Sequence, residues 1–268
     1  MRPADSFNGM PARSAAPWPS LLAGLVLGLG MVLFFFAPAR WLAAAVSSST
    51  EGRLRIVDAQ GTIWSGSGQL SLHGGDGSSD ESALAGRLRW DVQPALGALA
   101  IEIQADCCTP KALAFRLMPD WGGAHLQLAD RQSYWPAHLL AGLGTPWNTI
   151  RPEGQLLLQS QSFVVQWNQG RLSWSGQLQL DAMEMASRLS TLRPMGSYRL
   201  LLRGAPGPQL ELSTLQGSLQ LQGSGQWVGN KLRFEGQASA APDREEALAN
   251  LLNIIGQRNG ARSIIKRG

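Results

Sequence analysis

Residues 218–222, SLQLQ, alternate polar and apolar side chains, and this stretch decides the fold class of the chain. The same alternation recurs in residues 177–180, QLQL, and in residues 232–235, LRFE. A period of two sends successive side chains to opposite faces of a β-strand, so leucine and phenylalanine line one face while glutamine, serine and arginine line the other. Antiparallel strands with one buried and one solvated face carry this pattern. The stretch therefore predicts a mostly β chain.

A short motif containing glycine and tryptophan recurs along the chain. It reads IWSGSGQL at residues 63–70, LSWSGQL at residues 172–178 and LQGSGQW at residues 221–227. The irregular spacing argues against a solenoid repeat. Similar strands in sequence, with glycine at bends or bulges, are typical of a meander. We therefore predict a curved antiparallel sheet over residues 53–268, built as a meander, an open barrel or a groove.

An apolar segment precedes this domain. Residues 21–37 read LLAGLVLGLGMVLFFFA, carry no charge and would cover about 25 Å as a helix. Trp18 and Trp41 flank the segment, as interface anchors do. These features predict a single transmembrane helix over residues 18–42, with a cytoplasmic stub before it (residues 1–17) and a linker after it (residues 43–52). A cleaved signal peptide is the alternative, because residues 43–47, AAAVS, resemble a cleavage site.

One helix is predicted near the C-terminus. Asp243 is a candidate N-cap with Glu246 three residues later, which is a capping-box spacing, and Gly256 is a stop signal. Between them an apolar face lies at helical spacing, made of Ala247, Leu248, Leu251, Leu252 and Ile255. Covering the core of the domain is the favoured role of this helix, and docking a partner helix is the alternative.

Other segments give weaker patterns. Residues 131–143 and residues 182–192 are candidate short helices. The polar stretch HGGDGSSDES at residues 73–82 predicts a mobile hairpin loop. Residues 145–152 predict a connector that contains two prolines, and residues 206–208, PGP, predict a turn between strands.

Composition and charge exclude some functional classes. Only 16% of the residues are charged and the net charge is +4, but the arginines are scattered. A nucleic-acid-binding protein would cluster them, so no nucleic-acid partner is expected. The two cysteines, Cys107 and Cys108, are adjacent, and a bridge between neighbours closes a strained ring. We therefore expect two unbridged, buried or half-buried cysteines, with an intermolecular disulfide as the alternative.

No constellation of catalytic residues is visible in the sequence. His73 falls in the polar loop, and His125 and His138 stand alone. Neither Gly66-Ser67-Gly68 nor Gly223-Ser224-Gly225 has the spacing of a nucleophile elbow. The sequence predicts no catalytic, cofactor-binding or metal-binding residues and no cofactor, so an enzyme is not expected. An apolar sheet face can instead hold lipid, and its edge strands can pair with a strand of another protein.

Several motifs appear in a fixed order over some two hundred residues. They are GTIWSG (61–66), LRWDVQP (88–94), GRLSW (170–174), MGSYRL (195–200), LQGSL (215–219), GSGQW (223–227) and LRFEG (232–236). With the N-terminal apolar segment and the C-terminal helix, this order resembles the type II secretion system protein N family. The Cys107-Cys108 pair and the loop at residues 73–82 depart from that pattern.

The resemblance implies a non-catalytic accessory component of the machine that exports folded proteins across the outer membrane. Family members lie in the bacterial inner membrane with most of the chain in the periplasm, and contact the secretin and inner-membrane components. The family has no established catalytic residues. The alternative function is that of a periplasmic lipid-handling protein with a hydrophobic β groove.

Overall fold

The computed structural model describes residues 18–75, 78–205, 207–229 and 231–267. The chain divides into two compact units, residues 1–37 and residues 38–268. The predicted cytoplasmic stub at residues 1–17 lies outside the described residues. The same is true of Pro206 in the predicted turn and of part of the predicted loop at residues 73–82.

Two helices occupy the N-terminal region where one helix and a linker were predicted. Helix α1 covers Trp18–Phe35 and helix α2 covers Ala39–Ser49. Pro38 is the N-cap of α2, and since proline lacks an N–H it favours a break between the two. The apolar side chains of α1 are exposed, as at Leu25. No helix within the described residues combines the length and the hydropathy needed to cross a membrane.

The second unit is built on one antiparallel sheet of sixteen strands. The strands are β1 (Leu54–Gly61), β2 (Ser65–His73), β3 (Glu81–Ala83), β4 (Leu88–Ala95), β5 (Ala98–Ala105), β6 (Leu113–Asp120), β7 (Gly123–Leu128), β8 (Gln132–Pro136), β9 (Pro152–Asn168), β10 (Arg171–Ser187), β11 (Gly196–Arg203), β12 (Gln209–Gly217), β13 (Leu219–Val228), β14 (Lys231–Ala240), β15 (Gln257–Asn259) and β16 (Arg262–Arg267). Three further helical segments are a 3₁₀ helix (Ala137–Leu143), α3 (Trp147–Ile150) and α4 (Glu245–Ile255).

Strand order in the sheet nearly follows chain order. The sheet runs from β1 at one edge to β15 at the other, with β3 and β8 paired off the main path. The sheet is open, because β1 and β15 do not pair with each other among the described residues. The prediction of a mostly β chain with an antiparallel sheet and a short C-terminal helix is confirmed.

The alternation read from the sequence sets the two faces of the sheet. On β11, Leu200 and Leu202 lie on one face and Arg199 and Arg203 on the other, and their cross-strand partners share this division. The main core packs on the apolar face around the C-terminal strands, where Leu248, Leu251 and Leu252 of α4 are buried. Helix α4 therefore covers the core of its own domain, as predicted.

The start of α4 differs from the predicted capping box. Arg244 is the N-cap and makes no side-chain cap hydrogen bond, and the helix begins at Glu245. Asp243 has a left-handed backbone conformation (φ 63°), so it ends the preceding turn rather than capping the helix. Gly256 is the C-cap, as predicted.

The predicted helix over residues 182–192 is wrong. Strand β10 continues to Ser187, and a bulge between Ala182 and Met185 interrupts its register with β11. Residues 182–187 read AMEMAS, which has good helix propensity, but pairing with β9 and β11 on both sides prevails over that preference. The other predicted helix, over residues 131–143, is half right: β8 precedes the 3₁₀ helix there.

The cysteine prediction is also wrong. Cys107 and Cys108 form a disulfide between neighbouring residues. They lie in a tight turn after β5, in which the amides of Cys108 and Thr109 both donate to the carbonyl of Ala105. Cys108 is buried against Leu84 and Leu139, whereas Cys107 is exposed. The two Cα atoms are 3.7 Å apart, a separation that the peptide bond itself fixes for neighbouring residues, so the bridge closes no long loop.

Candidate functional site

The apolar face of strands β10 to β14 forms the floor of a groove. Cross-strand partners continue the apolar rows from strand to strand, as in Leu180, Leu200 and Leu212. These side chains are only half-buried, although they are large and apolar. A sheet face of this kind is usually covered, so it marks a surface that can bind another apolar group.

Three glycines shape this floor beneath one aromatic ring. Gly223, Gly225 and Gly236 lie on the apolar face around Phe234. A Cβ atom at any of the three would lie within about 3.1 Å of the Phe234 ring. The ring therefore lies across backbone that lacks side chains, which keeps the floor low at this point.

Helices close one end of the groove and leave a cavity beneath them. The cavity has a volume of about 500 Å³. Helix α4 contributes Leu251, Ile254 and Ile255, and the region of α3 contributes Pro146, Trp147 and Ile150. Trp147 and Ile254 are also exposed to solvent, so they lie at the rim. Among the described residues, the lining contains no charged side chain.

Two buried side-chain atoms on this face have no hydrogen-bond partner among the described residues. They are the hydroxyl oxygen of Tyr198 and the indole nitrogen of Trp174. Tyr198 lines the cavity and is 7% exposed. Burial raises the pKa of the Tyr198 hydroxyl, which keeps it protonated as a donor. An unpartnered buried hydroxyl costs about 1–3 kcal/mol, so a bound acceptor would relieve this cost.

A tryptophan pair covers the other end of the groove. Trp174 on β10 and Trp227 on β13 meet edge-to-face, with ring centroids 4.8 Å apart. Their strands are separated by β11 and β12, and the turn that joins these two strands lies beside the pair, since the amide of Ala205 donates to the carbonyl of Trp174. An edge-to-face arrangement allows an N–H to point at an aromatic ring, which is a weak substitute for a hydrogen bond.

The opposite face of the same strands is polar and carries an ion pair between the buried Asp181 and the half-buried Arg199. Arg199 donates two hydrogen bonds to Asp181, from Nε to Oδ1 at 2.7 Å and from Nη2 to Oδ2 at 2.8 Å. Gln179 donates a third, at 2.9 Å. The hydrogen bond from Arg199 holds the pKa of Asp181 below its ordinary value, against the opposing effect of burial.

Exposed apolar side chains form a row at the hairpin tips of one sheet end. Strands β4, β6, β9 and β13 run in the same direction, so the turns that follow them lie at the same end of the sheet. Leu96 and Trp121 at two of these tips are fully exposed, and the residues near two others are more than half exposed. We call this set the tip row: Leu96, Trp121, Trp167, Leu172 and Val228.

The sequence placed His73 in a mobile loop, and the structure corrects this. His73 ends β2, is buried, and pairs in register with Glu81 of β3, which confirms the hairpin. Ser71 donates to Glu81 at 2.7 Å and contacts the Nε2 atom of His73 at 3.2 Å. Serine, histidine and glutamate are in contact, but Ser71 is 1% exposed, so a substrate cannot reach its hydroxyl.

The other histidines do not join this cluster. His125 lies 3.7 Å from Asp120 on the β6–β7 hairpin, and His138 is exposed on the 3₁₀ helix. Within the described residues, no group of three or more histidine, cysteine, aspartate or glutamate side chains has a metal-binding arrangement. Sequence reasoning missed Tyr198 and Arg199, because the motif MGSYRL gives no sign that one side chain faces a cavity and the next an ion pair.

The chain matches a known protein family. The family model described as type II secretion system (T2SS), protein N, matches residues 52–265. That range begins just before β1 and ends within β16, so the match includes almost the whole sheet and helix α4. No curated protein and no solved structure matches the chain.

Proposed function

We propose, because this chain belongs to the type II secretion system protein N family, that it works as an accessory binding component of the secretion apparatus rather than as an enzyme. The family match over residues 52–265 carries this proposal. The surfaces described above support binding, since they are an apolar groove, an apolar tip row and two sheet edges.

The proposed partners are the secretin and the inner-membrane components of the apparatus. The tip row is the surface proposed to meet them. Exposed tryptophan is costly on a free protein surface and is enriched in the residues that dominate binding energy at interfaces. The edge strands β1 and β15 add a second mode, because each is paired on one side only among the described strands.

The proposed location is the bacterial inner membrane, with the sheet domain in the periplasm. The exposed apolar side chains of α1 support contact with lipid. The disulfide between Cys107 and Cys108 supports an oxidising compartment, where such bonds persist.

Deletion of the gene tests the role in export. In a strain without this chain, folded proteins that normally leave the cell should accumulate in the periplasm, and the full-length gene should restore their release. Unchanged export, in a strain whose secretin and platform proteins remain present at normal levels, would contradict the proposal.

The tip row gives a more specific prediction. Replacing both Trp121 and Trp167 with serine should lower export at least tenfold, because each change removes a large apolar contact of the kind that costs about 2 kcal/mol or more at an interface. The fold should persist, since both side chains are exposed. Export is measured as the ratio of released to periplasmic substrate, at equal amounts of the variant and wild-type proteins.

Leu215→Ser is the matched control. Leu215 is also an exposed apolar side chain, but it lies near the C-terminal end of β12 rather than at a hairpin tip. Export should stay within about twofold of wild type. Equal losses in the control and the double variant would show that exposed apolar side chains as such, rather than the tip row, support export.

A further inference from the structure

We propose that the cavity beneath α4 binds one acyl chain of a glycerolipid, with the ester carbonyl accepting a hydrogen bond from the Tyr198 hydroxyl. This inference goes beyond the proposed role in secretion and does not depend on it. It rests on three observations: an apolar cavity of defined volume, a lining without charge, and a buried donor that lacks a partner.

The cavity has room for no more than one turn of a protein helix. One turn of α-helix, about 5.4 Å long and 10–12 Å wide, occupies about 500 Å³, which is the whole cavity. A peptide would also bury several N–H and C=O groups, each of which needs a partner. Tyr198 and Trp147 supply the only polar side-chain atoms of the described lining. A hydrocarbon chain has no such requirement and fits a narrow apolar space.

The lining favours a neutral polar group over a charged one. A fatty acid would bring a carboxylate into a cavity whose described lining has no arginine, lysine or histidine, and an unpaired buried charge is strongly unfavourable. An ester carbonyl is neutral and needs one donor. The Tyr198 hydroxyl is such a donor. The hydrogen bond to the ester would offset the cost of burying this hydroxyl without a partner.

The groove provides room for the part of the acyl chain that extends beyond the cavity. Ala182 pairs in register with Tyr198, and Trp174 lies eight residues earlier on β10. At about 3.3 Å per residue this distance is about 26 Å. One acyl chain spans roughly half of a hydrocarbon core of about 30 Å, or about 15 Å. An acyl chain whose ester binds Tyr198 is therefore short enough to fit between the helices and the Trp174–Trp227 pair.

Photocrosslinking in intact cells tests this assignment on the full chain. Cells are fed a palmitic acid that carries a diazirine, which they incorporate into phospholipids, and are then illuminated. The purified protein is digested and its peptides are identified by mass spectrometry. We expect adducts with the mass of an intact glycerolipid on peptides from β10, β11 and α4.

A substitution that fills the cavity should remove these adducts. In Ala182→Phe, the ring occupies the space beside Tyr198, and adduct yield should fall at least tenfold. Ala100→Phe is the matched control: Ala100 is also half-buried on a strand, but lies on the polar face of β5. It should crosslink as the wild type does, and melting curves of both variants check that they fold.

Tyr198→Phe tests the hydrogen bond without changing the shape of the cavity. Loss of the donor should lower the yield of glycerolipid adducts about fivefold. It should also raise the melting temperature of the delipidated protein by about 2–4 °C, because an unpartnered buried hydroxyl is removed.

Three outcomes would overturn the assignment. Adducts confined to residues 18–37 would report contact of α1 with lipid and none in the cavity. Adducts of free fatty acid in the cavity would exclude the ester. Undiminished adducts in a folded Ala182→Phe variant would place the lipid elsewhere. None of these outcomes bears on export, so a failure here is distinguishable from a failure of the secretion role.

Discussion

Replacing Leu248 with alanine should lower the free energy of unfolding by about 2–5 kcal/mol. Leu248 is fully buried in the main core, where α4 packs on the apolar face of the sheet. The shortened side chain loses its transfer free energy and leaves a cavity that rigid strands cannot collapse to fill. Urea unfolding of the full chain, followed by tryptophan fluorescence, measures the change.

Ile254→Ala provides the control on the same helix. Ile254 is 41% exposed, so its truncation should cost less than about 1.5 kcal/mol. If both variants lost the same stability, α4 would not be anchored through its Leu248 side. The covering role of the helix, and with it the cavity beneath, would then be wrong.

Replacing Arg199 with methionine should cost about 1–3 kcal/mol at pH 7. The change leaves the Asp181 carboxylate, whose side chain is 7% exposed, without its charged donor, whereas the 38% exposure of the Arg199 side chain keeps the cost below that of breaking a fully buried pair. Arg203→Met is the matched control, because Arg203 lies on the same strand and face but pairs with Glu211 in an exposed ion pair. That pair should contribute less than about 1 kcal/mol.

The same pair predicts a dependence of stability on pH. The hydrogen bonds from Arg199 lower the pKa of Asp181 in the folded protein below its ordinary value of about 3.8, so the folded state favours the charged carboxylate. The contribution of the ion pair to stability is fully present above the pKa that Asp181 has in the unfolded protein. It is lost as the pH falls through the lower pKa that Asp181 has in the folded protein. The stability difference between wild type and Arg199→Met should therefore shrink below about pH 4. A difference that stays constant from pH 7 to pH 3 would contradict the role of the ion pair.

Local alternation was enough to predict the sheet and its two faces. Residues 177–180, 218–222 and 232–235 lie on β10, β13 and β14, with the leucines and phenylalanine on the groove side. Burial on one face fixes the register strongly, because a shift by one residue would reverse every side chain. The apolar spacing of Leu248, Leu251 and Leu252 predicted α4 for the same reason.

Features that depend on distant parts of the chain were not predictable. Residues 182–187 have helix propensity, and only their pairing with β9 and β11 makes them a strand. The disulfide between Cys107 and Cys108 depends on the turn after β5. The described lining of the cavity joins α3, α4 and seven strands, so no single segment carries its signal, and Tyr198 reads as an ordinary strand residue.

The tip row could not be predicted from the sequence for the same reason. Leu96, Trp121, Trp167 and Val228 are far apart in sequence, and each alone is an unremarkable residue near a turn. The meander brings their turns to one end of the sheet, because alternate strands share a direction. Knowledge of the topology was required to recognise them as one surface.

Crosslinking in intact cells, followed by affinity purification of the full chain and mass spectrometry of the recovered proteins, tests the central claim most directly. A component that binds within the type II secretion apparatus should recover the secretin or inner-membrane platform proteins well above an unrelated inner-membrane control. Recovery of phospholipid with no secretion component would contradict that claim.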